Sequence, residues 1–203
     1  MSFDVNMMFD FCLLKIQEFS QKHQGEAFYA FAIDANLLCL NSEEVAADTL
    51  EKYQKEWERK LRQFDCWDDL SHQDLRDVEQ LLRISEKHAG LNRDDKSACL
   101  KLINDERAKR SQKPNPYSSP DRIRELKENT GDWRYQGFAE LTAEVGFDFD
   151  AYDEHYEMDA HEQRTSEYAQ AMEQLLSMLN SFLVFESLKR TKDFYATRVE
   201  HDY

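Results

Sequence analysis

The chain has 203 residues, 41% of them hydrophobic and 12% aromatic, enough for one buried core and too apolar for a disordered chain. Its 41 acidic and 26 basic side chains leave a formal net charge of −15. That balance argues against a general nucleic-acid binder, which needs cations to displace phosphate counterions, and equally against an anionic membrane surface.

The first four residues carry no basic region, so no secretory leader is expected. Met8, Phe9, Cys12, Leu13, Ile16 and Phe19 then recur at helical spacing and predict a helix over 3–22, its apolar face widened by Phe11 and Leu14. The apolar run Val5–Leu14 is interrupted by Asn6 and Asp10 and is too short to span a bilayer. After Gly25, the continuous aromatic-rich run Ala27–Ile33 reads as a buried central strand. Asp34, Ala35 and Asn36 supply a turn, and Leu37–Leu40 a second strand.

Asn41 or Ser42 can cap the next helix, with Glu43 and Glu44 at its positive end. Its apolar stripe is Ala46, Leu50, Tyr53, Trp57, Leu61 and Phe64. Ser71 can cap a helix bearing Leu75, Val78 and Leu82, and another runs from about Asp95 to Arg110 with Ala98, Cys99, Leu102 and Ile103 inward. All three prolines fall between Ser111 and Pro120, the one clear loop, after which Ser119-Pro120-Asp121 opens a short helix. Alternation in Trp133–Leu141 predicts a half-buried strand with a bulge at Gly137. Met172, Leu175, Leu176, Leu179 and Phe182 mark a strong helix, and residues 193–199 a last strand. Without regular βαβ alternation the expected class is α+β: a single domain over 1–203, with a small, mainly antiparallel sheet flanked by amphipathic helices and a helical insertion with its proline loop at about 71–120.

Cys12, Cys39, Cys66 and Cys99 form no Cys-x-x-Cys pair, so neither a zinc ribbon, a redox motif nor a disulfide framework is expected, and the compartment that fits is the reducing cytoplasm. No Gly-rich phosphate cradle is present. No cofactor and no metal are expected.

Four pieces of sequence belong together: Phe28-Tyr-Ala-Phe-Ala-Ile-Asp34, Leu40-Asn-Ser-Glu-Glu44, Gly131-Asp-Trp-Arg-Tyr-Gln-Gly-Phe138 and the terminal Glu200-His-Asp-Tyr203. In combination they resemble a bacterial family of uncharacterised domains of about this length, marked by a Gly-Asp-Trp-x-Tyr-Gln-Gly-Phe string. Similar domains are encoded beside polymorphic or contact-delivered toxins and are regarded as immunity proteins. The resemblance implies a binding role towards a cognate protein toxin and carries no catalytic residue; the acid excess suits a toxin with a basic active-site cleft. Asp132 and Trp133 read either as rim residues of a binding site or as a helix end followed by a core tryptophan.

Three constellations compete for function. In Asp153–His161, a continuous helix would place His155 and Asp159 on one face at a metal-helix spacing, with His161 off that face. Glu200, His201 and Asp202 offer a carboxylate–imidazole pair without a nucleophile. A stand-alone hydrolase built near His155 or His201, or an adaptor domain with another partner, are therefore the alternatives to an immunity protein. The third constellation is charge. From Glu140 to Glu173 stand eleven acids and one base, interleaved with Tyr152, Tyr156, Met158 and Tyr168. The expected partner surface is Asp148, Asp150, Tyr152, Asp153, Glu154, Tyr156, Glu157, Asp159 and Glu162. No catalytic residue, nucleic acid or membrane enters this reading.

Overall fold

The computed structural model of the protein describes residues 2–84 and 94–199. Four strands, β1 (Phe28–Asp34), β2 (Leu37–Ser42), β3 (Tyr135–Glu140) and β4 (Arg190–Arg198), form one sheet in the order β3-β2-β1-β4. β1 is buried along its whole length, as its unbroken apolar run demands of a central strand. It pairs antiparallel with β2, and β2 antiparallel with β3. The expected antiparallel character holds for those two ladders, but β4 runs parallel to β1 and the sheet is mixed. A strand's own residues do not encode its direction; the long connection that delivers it does.

A register shift between Phe28 and Ala30 divides the aromatic run between two faces. Phe28, Phe31 and Ile33 join Leu38 and Leu40 beneath α1 (Val5–Lys22) and α8 (Glu167–Ser181), where Met8, Cys12, Ile16, Met172, Leu175 and Leu179 close the main core. Tyr29, Ala30 and Ala32 turn to the other face with Cys39 and Trp133. β3 is shorter than the expected 133–141: Trp133 ends a 3-10 turn over Thr130–Asp132, and Leu141 is buried just past the strand. β4 starts earlier than residue 193, at Arg190.

The helix entries follow their caps. Asp4 accepts from the Met7 amide at 3.0 Å to open α1, and Ser42 Oγ from the Val45 amide at 3.2 Å to open α2 (Glu43–Arg59). Ser71 and Asp74 bond reciprocally at the start of α3 (His72–Ile84), Ser71 Oγ accepting from the Asp74 amide at 3.2 Å and Asp74 from the Ser71 amide at 3.0 Å. Asp95 caps α4 (Lys96–Ser111), and α5 (Pro120–Glu128) begins on its proline.

Backbone contacts divide the chain into two compact units, one of Met1–Thr49 with Arg124–Tyr203 and one of Leu50–Ile123. The first contains the sheet. The second is helical and wider than the insertion expected at about 71–120, because the second half of α2 belongs to it. Its core is Phe64, Leu70, Val78, Cys99 and Ile103. Beside that core lies a buried ion network: Arg107, 3% exposed, donates to Asp74 at 2.5 Å and to the Arg62 carbonyl at 2.7 Å. Arg59 joins it through Asp74 and, at 2.7 Å, Asp77. Among the described residues no helix is long and apolar enough to cross a membrane.

Candidate functional site

The acidic segment folds as two short helices, α6 (Phe149–Glu157) and α7 (Ala160–Gln163). Asp148 starts α6, its Oδ1 accepting from the amides of Asp150 at 3.1 Å and Ala151 at 3.2 Å. Asp159 starts α7 in the same way, accepting from the amides of His161 at 2.9 Å and Glu162 at 3.0 Å. These bonds, foremost from Ala151 to Asp148 and from Glu162 to Asp159, hold both carboxyls below the usual range. Two of the nine expected contact residues are thus helix caps as well as anions.

α6 has one anchored side. Tyr152 packs its ring on Tyr168 and Phe147, with centroids 5.0 and 5.9 Å apart, and His155 is buried against Tyr168 at 4.7 Å. The opposite side is solvent-exposed: Asp150, Asp153, Glu154 and Glu157 stand at successive steps of three, one and three residues, on one helical face. Tyr156, half exposed, borders this face on the flank it shares with Tyr152, and Glu162 continues the exposed acid onto α7. The structure therefore brings the exposed carboxylates together, leaves Tyr156 at their border and directs Tyr152 into the fold. It adds Phe149, 42% exposed and seven residues before Tyr156.

Each like-charged pair three or four apart on α6 costs about 0.2–0.5 kcal/mol of helix stability. The helix persists because its cap and the Tyr152–His155 side hold it to the sheet unit. A cationic surface set against the ridge relieves that repulsion.

The metal-helix spacing of His155 and Asp159 does not exist, because α6 stops at Glu157 and extended backbone at Met158 resets the chain before Asp159 begins a new helix. Among the described residues no three His, Cys, Asp or Glu side chains converge as a metal site. His155 Nδ1 and Ser166 Oγ lie 2.7 Å apart. Ser166 is also the cap of α8, donating to the Gln163 carbonyl at 3.1 Å and accepting from the Ala169 amide at 3.1 Å. The cavity beside them, lined by Tyr152, Tyr156, Arg164, Tyr168 and Arg198, holds about 50 Å³, far below a substrate pocket's several hundred. The Glu200-His201-Asp202 constellation lies outside the described residues.

The Gly131–Phe138 string is used inside the fold. Trp133, 4% exposed, donates its indole Nε1–H to the Lys127 carbonyl at 2.9 Å, and Asp132 accepts from Asn129 at 2.8 Å. The Tyr135 hydroxyl donates to Glu26 at 2.6 Å, and Phe138 packs on Phe19 at 4.7 Å. Gly137 sits at φ +64° where β3 shifts register, and a side chain there would meet Leu37. Around Glu26, Ser42 at 2.6 Å and His23 Nδ1 at 2.9 Å complete a polar cluster that no local sequence pattern revealed, since its members come from three separate segments. Ser42 is fully buried, so its hydroxyl serves the cluster and the α2 cap.

Searches against protein-family models, curated proteins and solved structures returned no match to this chain.

Proposed function

We propose that the protein is an immunity protein that binds a cognate bacterial toxin through the acidic α6–α7 ridge and blocks it without chemistry of its own. The observation that carries the reading is the α6 surface: Asp150, Asp153, Glu154 and Glu157 exposed on one side, with the part-exposed rings of Phe149 and Tyr156 along its border, on a helix held to the fold by Tyr152 and His155. The sheet unit that bears it holds 26 acidic and ten basic residues, so the ridge sits in a strongly negative field. Such a surface attracts a basic cleft, and carboxylates at its rim act mainly on encounter rate. The resemblance carried by the Gly131–Phe138 string points the same way.

The test is neutralisation of the product of an adjacent toxin gene, followed by association kinetics of the purified pair at low and high salt. The triple variant Asp150→Lys, Asp153→Lys, Glu157→Lys should associate more slowly, with a flatter salt dependence. Wild-type kinetics across the salt range would remove the ridge from the interface.

The His155–Ser166 contact favours a second reading, a serine hydrolase. Against it stand the small cavity and a hydroxyl engaged in a helix cap. Hydrolysis of activated esters lost in Ser166→Ala, with the fold retained, would establish that reading and displace the first.

A further inference from the structure

The net charge of −15 conceals a partition. Residues 50–123 carry 16 basic and 15 acidic side chains, so the acid excess belongs entirely to the sheet unit. Within the helical unit, α2, α4 and the proline loop line an open cleft of about 390 Å³, with Tyr53, Trp57, Lys60, Lys109, Arg110, Lys113 and Tyr117 among its walls. Its two acids are already engaged: Glu56 with Arg59 at 2.8 Å and Lys60 at 3.2 Å, and Glu106 with Lys109 at 3.7 Å. For Arg110 and Lys113 no ion pair is present among the described residues.

The aromatic side chains of the cleft are organised as flat walls. Tyr53 and Tyr117 lie face to face, centroids 5.2 Å apart and 10° from parallel. The Arg110 guanidinium lies over the Trp57 indole at 5.6 Å. Tyr53 and Trp57 belong to the α2 apolar stripe, yet both remain only half-buried. Half-exposed flat rings beside clustered cations match a ligand with a planar ring at one end and phosphate at the other.

We propose that this cleft binds a free nucleoside phosphate, its base stacked against the Trp57–Arg110 pair and its phosphates on Arg110 and Lys113. The cleft's volume is that of a single small-ligand site. A nucleic-acid strand is disfavoured, because each further phosphate would extend beyond the local cations of a chain carrying −15. An acidic peptide would satisfy the cations and leave the rings unused. The inference is independent of the toxin-binding ridge.

Calorimetric titration of the full chain at low salt, with ATP, inorganic tripolyphosphate and a short oligothymidylate, tests it. ATP should bind one site with Kd below about 1 mM, and tripolyphosphate about tenfold more weakly because it lacks the stacked base. Lys113→Glu, at an exposed side chain, should abolish ATP binding at unchanged Tm. Trp57→Leu should weaken ATP about tenfold and leave tripolyphosphate unaffected, which separates stacking from misfolding. Equal affinity for ATP and tripolyphosphate, tighter binding of the oligonucleotide, or no saturable heat with ATP would each overturn the proposal.

Discussion

The Tyr135 hydroxyl donates to the Glu26 carboxylate at 2.6 Å, joining β3 to the turn that precedes β1. Burial works to raise the Glu26 carboxyl, but bonds from Ser42, Tyr135 and His23 outweigh it and hold it below the usual carboxylate range. Burial, and then Glu26 itself, push the Tyr135 phenol up to about 12, so it stays protonated as the donor.

A pH dependence follows. A carboxyl whose folded-state pKa is depressed contributes stability above its unfolded value, about 4.3, and that contribution is lost as pH falls through the folded value. Wild type should therefore exceed Glu26→Gln in Tm at neutral pH, and the gap should close as pH drops below about 4. Thermal melts of both proteins from neutral to acid pH check this; a gap independent of pH would place the stabilisation elsewhere.

Arg107→Met removes the central cation of the helical unit. It leaves Asp74, 3% exposed, and the Arg62 carbonyl short of a donor. Breaking a buried pair from one side costs about 3–5 kcal/mol. Hydrogen exchange should show faster amides throughout α3 and α4, with the β1 and β2 amides unchanged if the two units open separately.

Two positions in the left-handed region should respond in opposite senses. Leu183 sits at φ +55°, is 65% exposed and gives up little packing. Leu183→Gly should stabilise by about 0.5–1 kcal/mol. Gly146 sits at φ +91°, where an added Cβ would lie 2.7 Å from Asp4 Cβ and 2.8 Å from its carbonyl oxygen. The Asp4 amide also donates to the Gly146 carbonyl at 2.9 Å, so neither segment can move away freely. Gly146→Ala should cost about 2–4 kcal/mol. Urea unfolding of both variants reads the two signs.

The two tyrosines of α6 should separate stability from binding. Tyr152→Ala removes ring contacts with Tyr168 and Phe147 and should lower Tm. Tyr156→Ala, at a half-exposed side chain, should leave Tm within a degree or two and weaken binding of the proposed toxin partner about fivefold or more. A loss of stability at Tyr156, or undiminished affinity, would remove it as an anchor.

Local chemistry made much of this protein legible in its sequence. The unbroken, aromatic-rich apolar run before Asp34 reads as a strand covered on both faces, and it is an interior strand of the sheet. Ser71 stands where a helix needs an acceptor and caps one, and of Asn41 and Ser42 it is Ser42 that caps α2. Gly137 marks the irregularity in β3 because only glycine is at ease at its φ. Tertiary structure alone decided the rest. The direction of β4 comes from the path that delivers it, the end of α6 from the extended backbone at Met158, and the role of Trp133 from a carbonyl six residues away. Periodicity shows which side of a helix is apolar, not which neighbour covers it. For that reason the α2 stripe, which reads as core, leaves Tyr53 and Trp57 half-buried at the wall of a cleft.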